Sequence, residues 1–475
     1  MFNLLFWILM LSRFWNLGLK PVHHDEAING WFVAQTWAQG AFTYDPSNYH
    51  GPLLFYLFQL GELLGGWGVE TFRFVTTLFS VFTMLWLWHW SRRRFQLAGW
   101  WALALALSPG FLFFSRSAIH ESAFVFFTLM AATAWIDFWC LRRPGALRVF
   151  LYGLLGALLL KETFALALAA GVLVSLPLFL RRERWEALRA ERRSLLIHVG
   201  ICVVIWALFY SGFGRNPGGL RDFFVAFLPW MKTGTAGNGH QKEFSYFLKL
   251  MWDFEPATVF ALALTVWGLF KSGWQRGVCA WALLIVVIYG LIPYKTPWCL
   301  ISMQLPIWLA AIVVLSRQNF MLRSGSQLLL LALGVMSASH YVALNFEKYT
   351  SPHPYIYVQG DYEAKYFVES LQRQAEQRPE IRLAKVQWGT NEPWPFPYWL
   401  QMFTNQASLV ASTTVFPNQD LYIVETTDEA KTEGVLQGGY WKVRFLVRDA
   451  RAVSVAYLRK SVFECPMPTC QEVGP

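Results

Sequence analysis

Apolar stretches of nearly membrane-spanning length repeat along the chain from residue 2 to residue 344, with short polar loops between them. A bilayer core of about 30 Å requires roughly 20 apolar residues in each helix that crosses it. Only 15% of the 475 residues are charged, whereas a soluble domain usually carries about 25%. The pattern therefore predicts a mainly α-helical, polytopic membrane protein.

About eleven of these stretches are predicted to cross the membrane. They are residues 2–17, 74–90, 100–114, 118–140, 149–160, 164–180, 195–212, 257–270, 278–292, 298–315 and 328–344. Residues 149–180 are counted as two crossings, and a single kinked helix there would change the count.

The loops after the even-numbered stretches are short and carry Arg or Lys, which indicates that they face the cytoplasm. They are residues 92–94, 142–148, 181–193, 271–276 and 317–323. The N-terminus is then cytoplasmic, in a plasma or inner membrane, and the segment after the last stretch lies outside. These loops account for much of the net charge of +10, so we expect no nucleic-acid partner.

The sequence changes character near residue 347, where charged residues return at the density of a soluble domain. We expect a transmembrane domain at 1–346, with a long first external loop at 18–73, and a small extracytoplasmic α/β domain at 347–475. In the latter, Asp361 is predicted to cap a helix that runs to about residue 374. Strands are predicted at 382–387 and 421–425. Cys465 and Cys470 can form a disulfide in an oxidising compartment or remain free thiols.

Ionisable residues that orientation does not explain lie on the predicted outer face. Asp25 and Glu26 open a predicted helix that ends before Gly40. Two explanations remain open for this acidic pair. Asp25 is a good N-cap and Glu26 suits the helix dipole, but one carboxylate can also act as general base on an acceptor hydroxyl or amine.

Three basic residues, Arg116, Lys161 and Lys295, follow predicted spans on the same face. Each alone is explained as an end-of-span residue whose side chain reaches the headgroup layer. Together they run against the positive-inside tendency, and an external phosphate would compensate them. His23, His24, His120 and Glu121 offer ligands to a divalent metal, but no helical His spacing supports one, so the metal content is left unknown.

Several segments resemble the GT-C glycosyltransferases. They are His24-Asp25-Glu26 after the first span, Tyr-His-Gly-Pro-Leu at 49–53, Arg73, Ser115-Arg116 followed by His120-Glu121, and Tyr-Lys-Thr-Pro-Trp at 294–298. The resemblance is closest to protein O-mannosyltransferases and bacterial lipid A aminoarabinose transferases, the glycosyltransferase family 39-like branch. The last segment is also similar to bacterial and archaeal membrane proteins, some of which are associated with flipping of lipid-linked oligosaccharides.

The resemblance implies a membrane glycosyltransferase with a GT-C fold. Such an enzyme transfers a hexosyl or pentosyl group, with inversion, from a polyprenyl-phosphate donor to an extracytoplasmic protein, lipid or glycan of the cell envelope. It implies Asp25 as the base or as the acid that positions the acceptor, supported by Glu26. The cations Arg116, Lys295 and Lys161 would neutralise the lipid phosphate. The remaining candidates would hold substrate or support the site, and they are His24, His50, His120, Glu121 and Glu162.

The sequence departs from the family pattern at position 51, which is Gly where proline is usual, and at position 121, which is Glu where Asp is common. The C-terminal segment lacks the β-trefoil of the eukaryotic enzymes. The alternatives are a flippase or transporter of lipid-linked saccharides and a non-catalytic partner of a glycosylation machinery. Transporters usually show internal repeats and helices broken at the midplane, whereas the unusual residues here lie at one face.

Overall fold

The computed structural model describes residues 2–179, 182–236, 239–349, 352–390, 394–406, 414–448 and 452–473. Positions 180 and 181, at the end of one predicted span and the start of the next loop, lie outside the described residues. The helices are α1 (Phe2–Ser12), α2 (His24–Gln39), α3 (Leu53–Gly65), α4 (Val69–Phe95), α5 (Trp100–Ala106), α6 (Pro109–Ser115), α7 (Glu121–Trp139), α8 (Ala146–Leu158), α9 (Phe164–Phe179), α10 (Arg182–Ala190), α11 (Arg192–Tyr210), α12 (Gly219–Val225), α13 (Phe227–Ala236), α14 (Tyr246–Phe254), α15 (Pro256–Gly268), α16 (Trp274–Leu291), α17 (Leu300–Leu315), α18 (Phe320–Met336), α19 (Ala338–Phe346), α20 (Tyr362–Gln377), α21 (Phe396–Trp399) and α22 (Glu429–Glu433).

The chain divides into two compact units. The helical unit contains Met1–Leu17 and Gln35–Tyr355, and the sheet unit contains Gly18–Ala34 and Ile356–Pro475. Residues 18–34, which the sequence predicts to belong to the transmembrane domain, pack with the C-terminal segment in the structure.

The predicted class, a mainly helical membrane protein with a small α/β domain, is confirmed. The predicted count of eleven spans is wrong. Among the described residues, five helices are long and apolar enough to cross a membrane, namely α4, α7, α11, α16 and Pro297–Leu315. A sixth is obtained if α18 and α19, which meet at 46°, form one bent span.

Four of the other predicted spans correspond to shorter apolar helices of 10–17 residues, namely α1, α8, α9 and α15. At 1.5 Å per residue, a helix of 13 residues is about 20 Å long, less than the bilayer core. The predicted span 100–114 is interrupted because Pro109 starts α6, and Ser108 caps that helix by accepting a hydrogen bond from the Phe111 N–H.

The core of the helical unit is α17, all of whose residues are buried. It packs against α7, α15 and α16. The tightest pairing nearby is that of α7 with α8, where a Cβ on Gly153 would lie only 2.7 Å from the Ala131 backbone nitrogen. This close approach brings the end of α8 toward the start of α7, where several candidate residues lie.

The sheet unit contains one six-stranded sheet in the order β2-β1-β3-β5-β4-β6. Its strands are β1 (Lys385–Gly389), β2 (Asn405–Gln406), β3 (Leu421–Glu425), β4 (Tyr440–Leu446), β5 (Val453–Arg459) and β6 (Gln471–Val473). β1 is parallel to β2 and β3, and the remaining pairs are antiparallel. Helix α20 packs on the sheet through Phe367, whose ring stacks on Phe445 at 4.4 Å.

The predicted elements of this unit are largely confirmed. β3 coincides with the predicted strand, and Asp361 caps α20 by accepting a hydrogen bond from the Glu363 N–H at 2.8 Å. β1 begins three residues later than predicted because residues 379–383 form a 3₁₀ turn. Cys465 and Cys470 are joined by a disulfide.

Within the sheet unit, hydrogen bonds to the backbone join residues 18–34 to the C-terminal stretch of the chain. The His24 N–H donates to the Val358 carbonyl at 3.1 Å, and the Gly360 N–H donates to the Val22 carbonyl at 2.9 Å. The Lys365 ammonium donates to the carbonyls of residues 18 and 19. These bonds fix the start of α2, which carries the predicted catalytic pair.

Candidate functional site

Five of the predicted site residues meet in the helical unit, and we call them the polar cluster: His50, His120, Glu121, Lys161 and Glu162. The Lys161 ammonium is paired with the Glu121 carboxylate, and the two side chains are 10% and 3% exposed. The rings of His50 and His120 lie 4.5 Å apart. His50 Nδ1 is 3.4 Å from Glu162 Oε2. Sequence spacing alone does not place these residues together.

Three chain segments build the polar cluster. The pair 120–121 forms the start of α7, and the pair 161–162 lies in the turn between α8 and α9. His50 is fixed because the Gly51 N–H donates to the Leu160 carbonyl at 3.0 Å. A Cβ on Gly51 would lie 2.2 Å from the Leu159 carbonyl oxygen. The glycine at position 51, a departure from the family pattern, is therefore required by this close approach.

Burial and pairing set the charges of the cluster. Burial lowers the pKa of Lys161, but the Glu121 carboxylate outweighs it and holds that pKa well above its ordinary value. Burial, with the His50 and Lys161 charges nearby, holds the pKa of His120 well below its ordinary value. His120 is therefore neutral at pH 7, and its buried Nε2 has no hydrogen-bond partner among the described residues. The cluster thus contains one cation, Lys161, that is neutralised by Glu121, and one neutral ring, His120, whose Nε2 has no hydrogen-bond partner among the described residues.

Arg116 lies apart from these contacts, at the C-terminal end of α6. Its guanidinium donates to the carbonyls of Arg13 at 3.2 Å, Trp15 at 2.8 Å and Asn16 at 3.2 Å. Burial, with the nearby Arg73, lowers its pKa to about 10. Most of its donors thus stabilise the chain after α1, which leaves few for a phosphate.

Lys295 is also nearly buried, with 2% of its surface exposed. Its ammonium donates to the carbonyls of Lys242 at 3.1 Å and Ile292 at 2.5 Å. No acidic side chain pairs with it within the part of the chain that the structure describes, and burial lowers its pKa. An ammonium has three donors, and these two carbonyls account for two of them.

The predicted catalytic pair lies in the sheet unit, in the first turn of α2. Glu26 is 1% exposed, and its carboxylate accepts a hydrogen bond from the His23 N–H at 2.8 Å. His23 Nδ1 accepts from the Asp25 N–H at 3.0 Å. This reciprocal arrangement is a helix cap. Asp25 is half-buried and its carboxylate has no hydrogen bond or ion pair within the described ranges.

His24, the remaining predicted residue, belongs to an aromatic and basic group in the sheet unit. Its Nδ1 is 3.2 Å from Arg448 Nη1. Its ring lies 6.4 Å from that of Trp394, which in turn is 6.2 Å from Trp31. His24 thus lies next to Asp25 at the start of α2, within the sheet unit.

One functional candidate was missed from the sequence. Glu255 is 2% exposed, and its carboxylate accepts hydrogen bonds from the Gly110 N–H at 2.7 Å, Gln304 Nε2 at 3.1 Å and the Tyr355 hydroxyl at 3.3 Å. Burial raises its pKa to about 7. The only sequence signal is an acid placed directly before Pro256 at the start of an apolar helix.

No three His, Cys, Asp or Glu side chains among the described residues are grouped so that they could hold a metal ion. The residues of the polar cluster therefore do not fit a metal site, and no reaction step is assigned to one.

The whole chain resembles solved structures but no known sequence family. No protein-family model and no curated protein matches it. Solved structures do match it, and two of them are of ArnT from Cupriavidus metallidurans. The structure bound to undecaprenyl phosphate has a TM-score of 0.68 at 14% identity, and the apo structure has a TM-score of 0.66 at 13% identity. Each alignment covers 98% of this chain and 99% of the other. The likeness establishes an ArnT-like fold, as the sequence resemblance predicted.

Proposed function

We propose that this chain is a membrane glycosyltransferase that transfers a sugar from a polyprenyl-phosphate-linked donor to an extracytoplasmic acceptor. The observation that carries the proposal is the ArnT-like fold over 98% of the chain, because the matching structure holds undecaprenyl phosphate. The acceptor class is a protein, lipid or glycan of the cell envelope, and the transferred group is a hexosyl or pentosyl unit.

The reaction we propose is a single displacement with inversion. The acceptor oxygen or nitrogen attacks the anomeric carbon as the bond from that carbon to the lipid phosphate breaks. Asp25 takes the proton from the acceptor, and its half-buried carboxylate, without a competing partner among the described residues, supports this role over Glu26. General-base catalysis typically contributes about 10²–10⁴-fold.

The departing phosphate gains negative charge, so a fixed cation near it lowers the barrier. Lys295 is the strongest candidate because two carbonyls account for two of its three ammonium donors and it has no acidic partner in the described segments. Arg116 and Lys161 are weaker candidates. The first is bonded to carbonyls, and the second is neutralised by Glu121.

The polar cluster is proposed to bind sugar hydroxyl groups. His120 is neutral and leaves Nε2 without a partner, while His50 is the most exposed member at 24%. Neutral imidazole can donate one hydrogen bond and accept another, which suits a hydroxyl. Glu162 Oε2 lies 3.4 Å from His50 Nδ1, and the Glu121–Lys161 pair links the start of α7 to the turn after α8.

For the orientation we propose a cytoplasmic N-terminus and an extracytoplasmic sheet unit, in a plasma or inner membrane. The basic loops between the apolar helices support this through the positive-inside tendency. The Cys465–Cys470 disulfide supports it independently, because disulfides persist in oxidising compartments.

The experiment is transfer of radiolabelled sugar from polyprenyl-phosphate donors to cell-envelope extract by the purified protein. Asp25→Asn is expected to lower turnover by about 10²-fold or more. Asp45→Asn, in the same external loop, is the matched control and should retain activity. Unchanged turnover in Asp25→Asn would remove the proposed base, and no transfer by folded wild-type protein with any donor would favour the flippase or the non-catalytic partner.

A second variant tests the phosphate contact. Lys295→Ala should raise the apparent KM for the donor and leave the acceptor KM nearly unchanged. Arg116→Ala should instead lower thermal stability, because its guanidinium holds the residues after α1. Equal loss of donor and acceptor use in Lys295→Ala would contradict the assignment of Lys295.

A further inference from the structure

A large apolar cavity lies between α7, α8, α9 and α16, with a volume of about 800 Å³. Sites for drug-sized ligands usually occupy about 300–1,000 Å³. Two of the indole N–H groups on its walls are already bonded, since Trp135 Nε1 donates to Ser175 Oγ at 2.9 Å and Trp281 Nε1 donates to the Ala167 carbonyl at 3.2 Å. Apolar cavities of this kind stay dry or take up apolar molecules, so the walls suit a hydrocarbon chain.

The cavity reaches the surface of the helical unit between α9 and α16. Two of its lining residues on α9, Val172 and Leu173, are 43% and 57% exposed. This exposure allows a chain to enter sideways from the surrounding lipid. Two glycines lie on the walls, and an added Cβ would make only ordinary van der Waals contact there, at 3.7 Å from the Trp281 side chain for Gly171 and at 3.6 Å from Val174 for Gly277.

One end of the cavity carries a group of basic residues, which we call the basic mouth: Lys271, Arg276 and Arg317. Arg276 lines the cavity with Trp274, and the Arg317 guanidinium lies 5.7 Å from the Trp274 ring. Arg276 Nε donates to the Lys271 carbonyl at 3.0 Å. None of the three forms an ion pair with an acidic side chain among the residues described here.

The opposite end of the cavity lacks spare positive charge. It is lined by Ala157 and Phe164, on either side of the turn that holds Lys161 and Glu162. The Lys161 ammonium is neutralised by Glu121, and Glu162 adds a carboxylate. An anionic headgroup is therefore attracted to the basic mouth and not to the polar cluster.

We propose that this cavity binds one acyl chain of an anionic phospholipid whose phosphate lies at the basic mouth. Basic pockets between membrane helices on the cytoplasmic side bind acidic headgroups in this way. Indole rings such as that of Trp274 favour the headgroup layer. The site is separate from the proposed donor site, so the inference does not depend on the glycosyltransferase proposal.

The test is native mass spectrometry of the purified full chain with equal amounts of phosphatidylglycerol and phosphatidylethanolamine that carry the same acyl chains. Wild-type protein should retain phosphatidylglycerol preferentially. Each juxtamembrane cation contributes about 1 kcal/mol to binding of acidic lipids, which is about fivefold in affinity. Arg276→Gln or Arg317→Gln should each reduce the preference by about that factor, whereas Arg143→Gln, in another exposed basic loop, should not.

A cavity-filling variant tests the chain-binding part. Gly277→Leu places a side chain inside the cavity and should reduce binding of both phospholipids. Gly200→Leu is the control, since a Cβ there meets no atom within 4 Å. The proposal is overturned by equal retention of the two phospholipids in wild type, by an unchanged preference in both Arg variants, or by unchanged binding in Gly277→Leu. Displacement of phosphatidylglycerol by polyprenyl phosphate would also overturn it, and would assign the cavity to the donor chain.

Discussion

Replacing Glu255 with glutamine removes a buried titratable group while keeping its shape, and the effect on stability should depend on pH. Burial raises the pKa of Glu255 from its ordinary 4.5 to about 7. Between these values the folded protein binds a proton that the unfolded chain has released, so the free energy of unfolding falls as pH rises. At about 1.36 kcal/mol for each pH unit, the loss reaches about 3 kcal/mol above pH 7.

The assay is thermal unfolding of the detergent-solubilised protein from pH 4.5 to pH 8, followed by tryptophan fluorescence. About 1 kcal/mol changes Tm by about 2–4 °C in a domain of 150–250 residues, so a larger unit should shift by several degrees in total. Between pH 4.5 and pH 8, the Tm of wild type should fall by several degrees more than the Tm of Glu255→Gln. Glu70→Gln, on the exposed first turn of α4, should follow wild type.

The comparison concerns the slope with pH, so a constant cost of the substitution does not affect it. Parallel pH profiles for wild type and Glu255→Gln would refute the reasoning. That result would mean that the hydrogen bonds from Gly110, Gln304 and Tyr355 keep the carboxylate ionised in the folded protein despite its burial.

Three further changes test the packing around the candidate site and the sheet unit. Lys161→Met should destabilise the protein by about 3–5 kcal/mol, since it leaves a buried carboxylate unpaired, and adding Glu121→Gln should restore much of that; no recovery in the double variant would contradict the pairing. Gly51→Ala should lower Tm because its Cβ would lie 2.2 Å from the carbonyl oxygen of Leu159, at the C-terminal end of α8. An unchanged Tm would show that the chain around residue 51 can shift to make room. Cys465→Ser, with Cys470→Ser to avoid a lone thiol, should cost about 2 kcal/mol by loop-closure entropy, and equal urea midpoints would argue against the bond.

The sequence predicted the helix and strand boundaries that depend only on neighbouring residues. α2 ends at Gln39 because Gly40 adopts a φ of +74°, a conformation that favours glycine. β3 matches its predicted bounds because it is a short apolar run of β-forming residues. The number of spans was overestimated because the hydropathy of a segment does not show where its helix ends, and several apolar segments form helices of only 10–17 residues.

The sequence predicted which residues belong to the candidate site, but not which of them contact each other. Lys161 and Glu121 are 40 residues apart in sequence, and nothing local indicates that they pair. Glu255 was missed for the same reason, because its partner Gly110 is 145 residues away. Glu26 illustrates the opposite case, since the spacing of three residues to His23 is enough to explain its cap.

The packing of residues 18–34 with the C-terminal segment has a consequence for how the protein is made. The Gln359 side chain donates to the Pro21 carbonyl across 338 positions of sequence. At about 5–20 residues per second, the ribosome adds that length in about 20–70 s. During this interval the start of α2, with Asp25, has left the ribosome without the partner that completes its fold. Biogenesis therefore has to protect an early segment until the last part of the chain arrives, and a truncated chain would leave that segment without its fold.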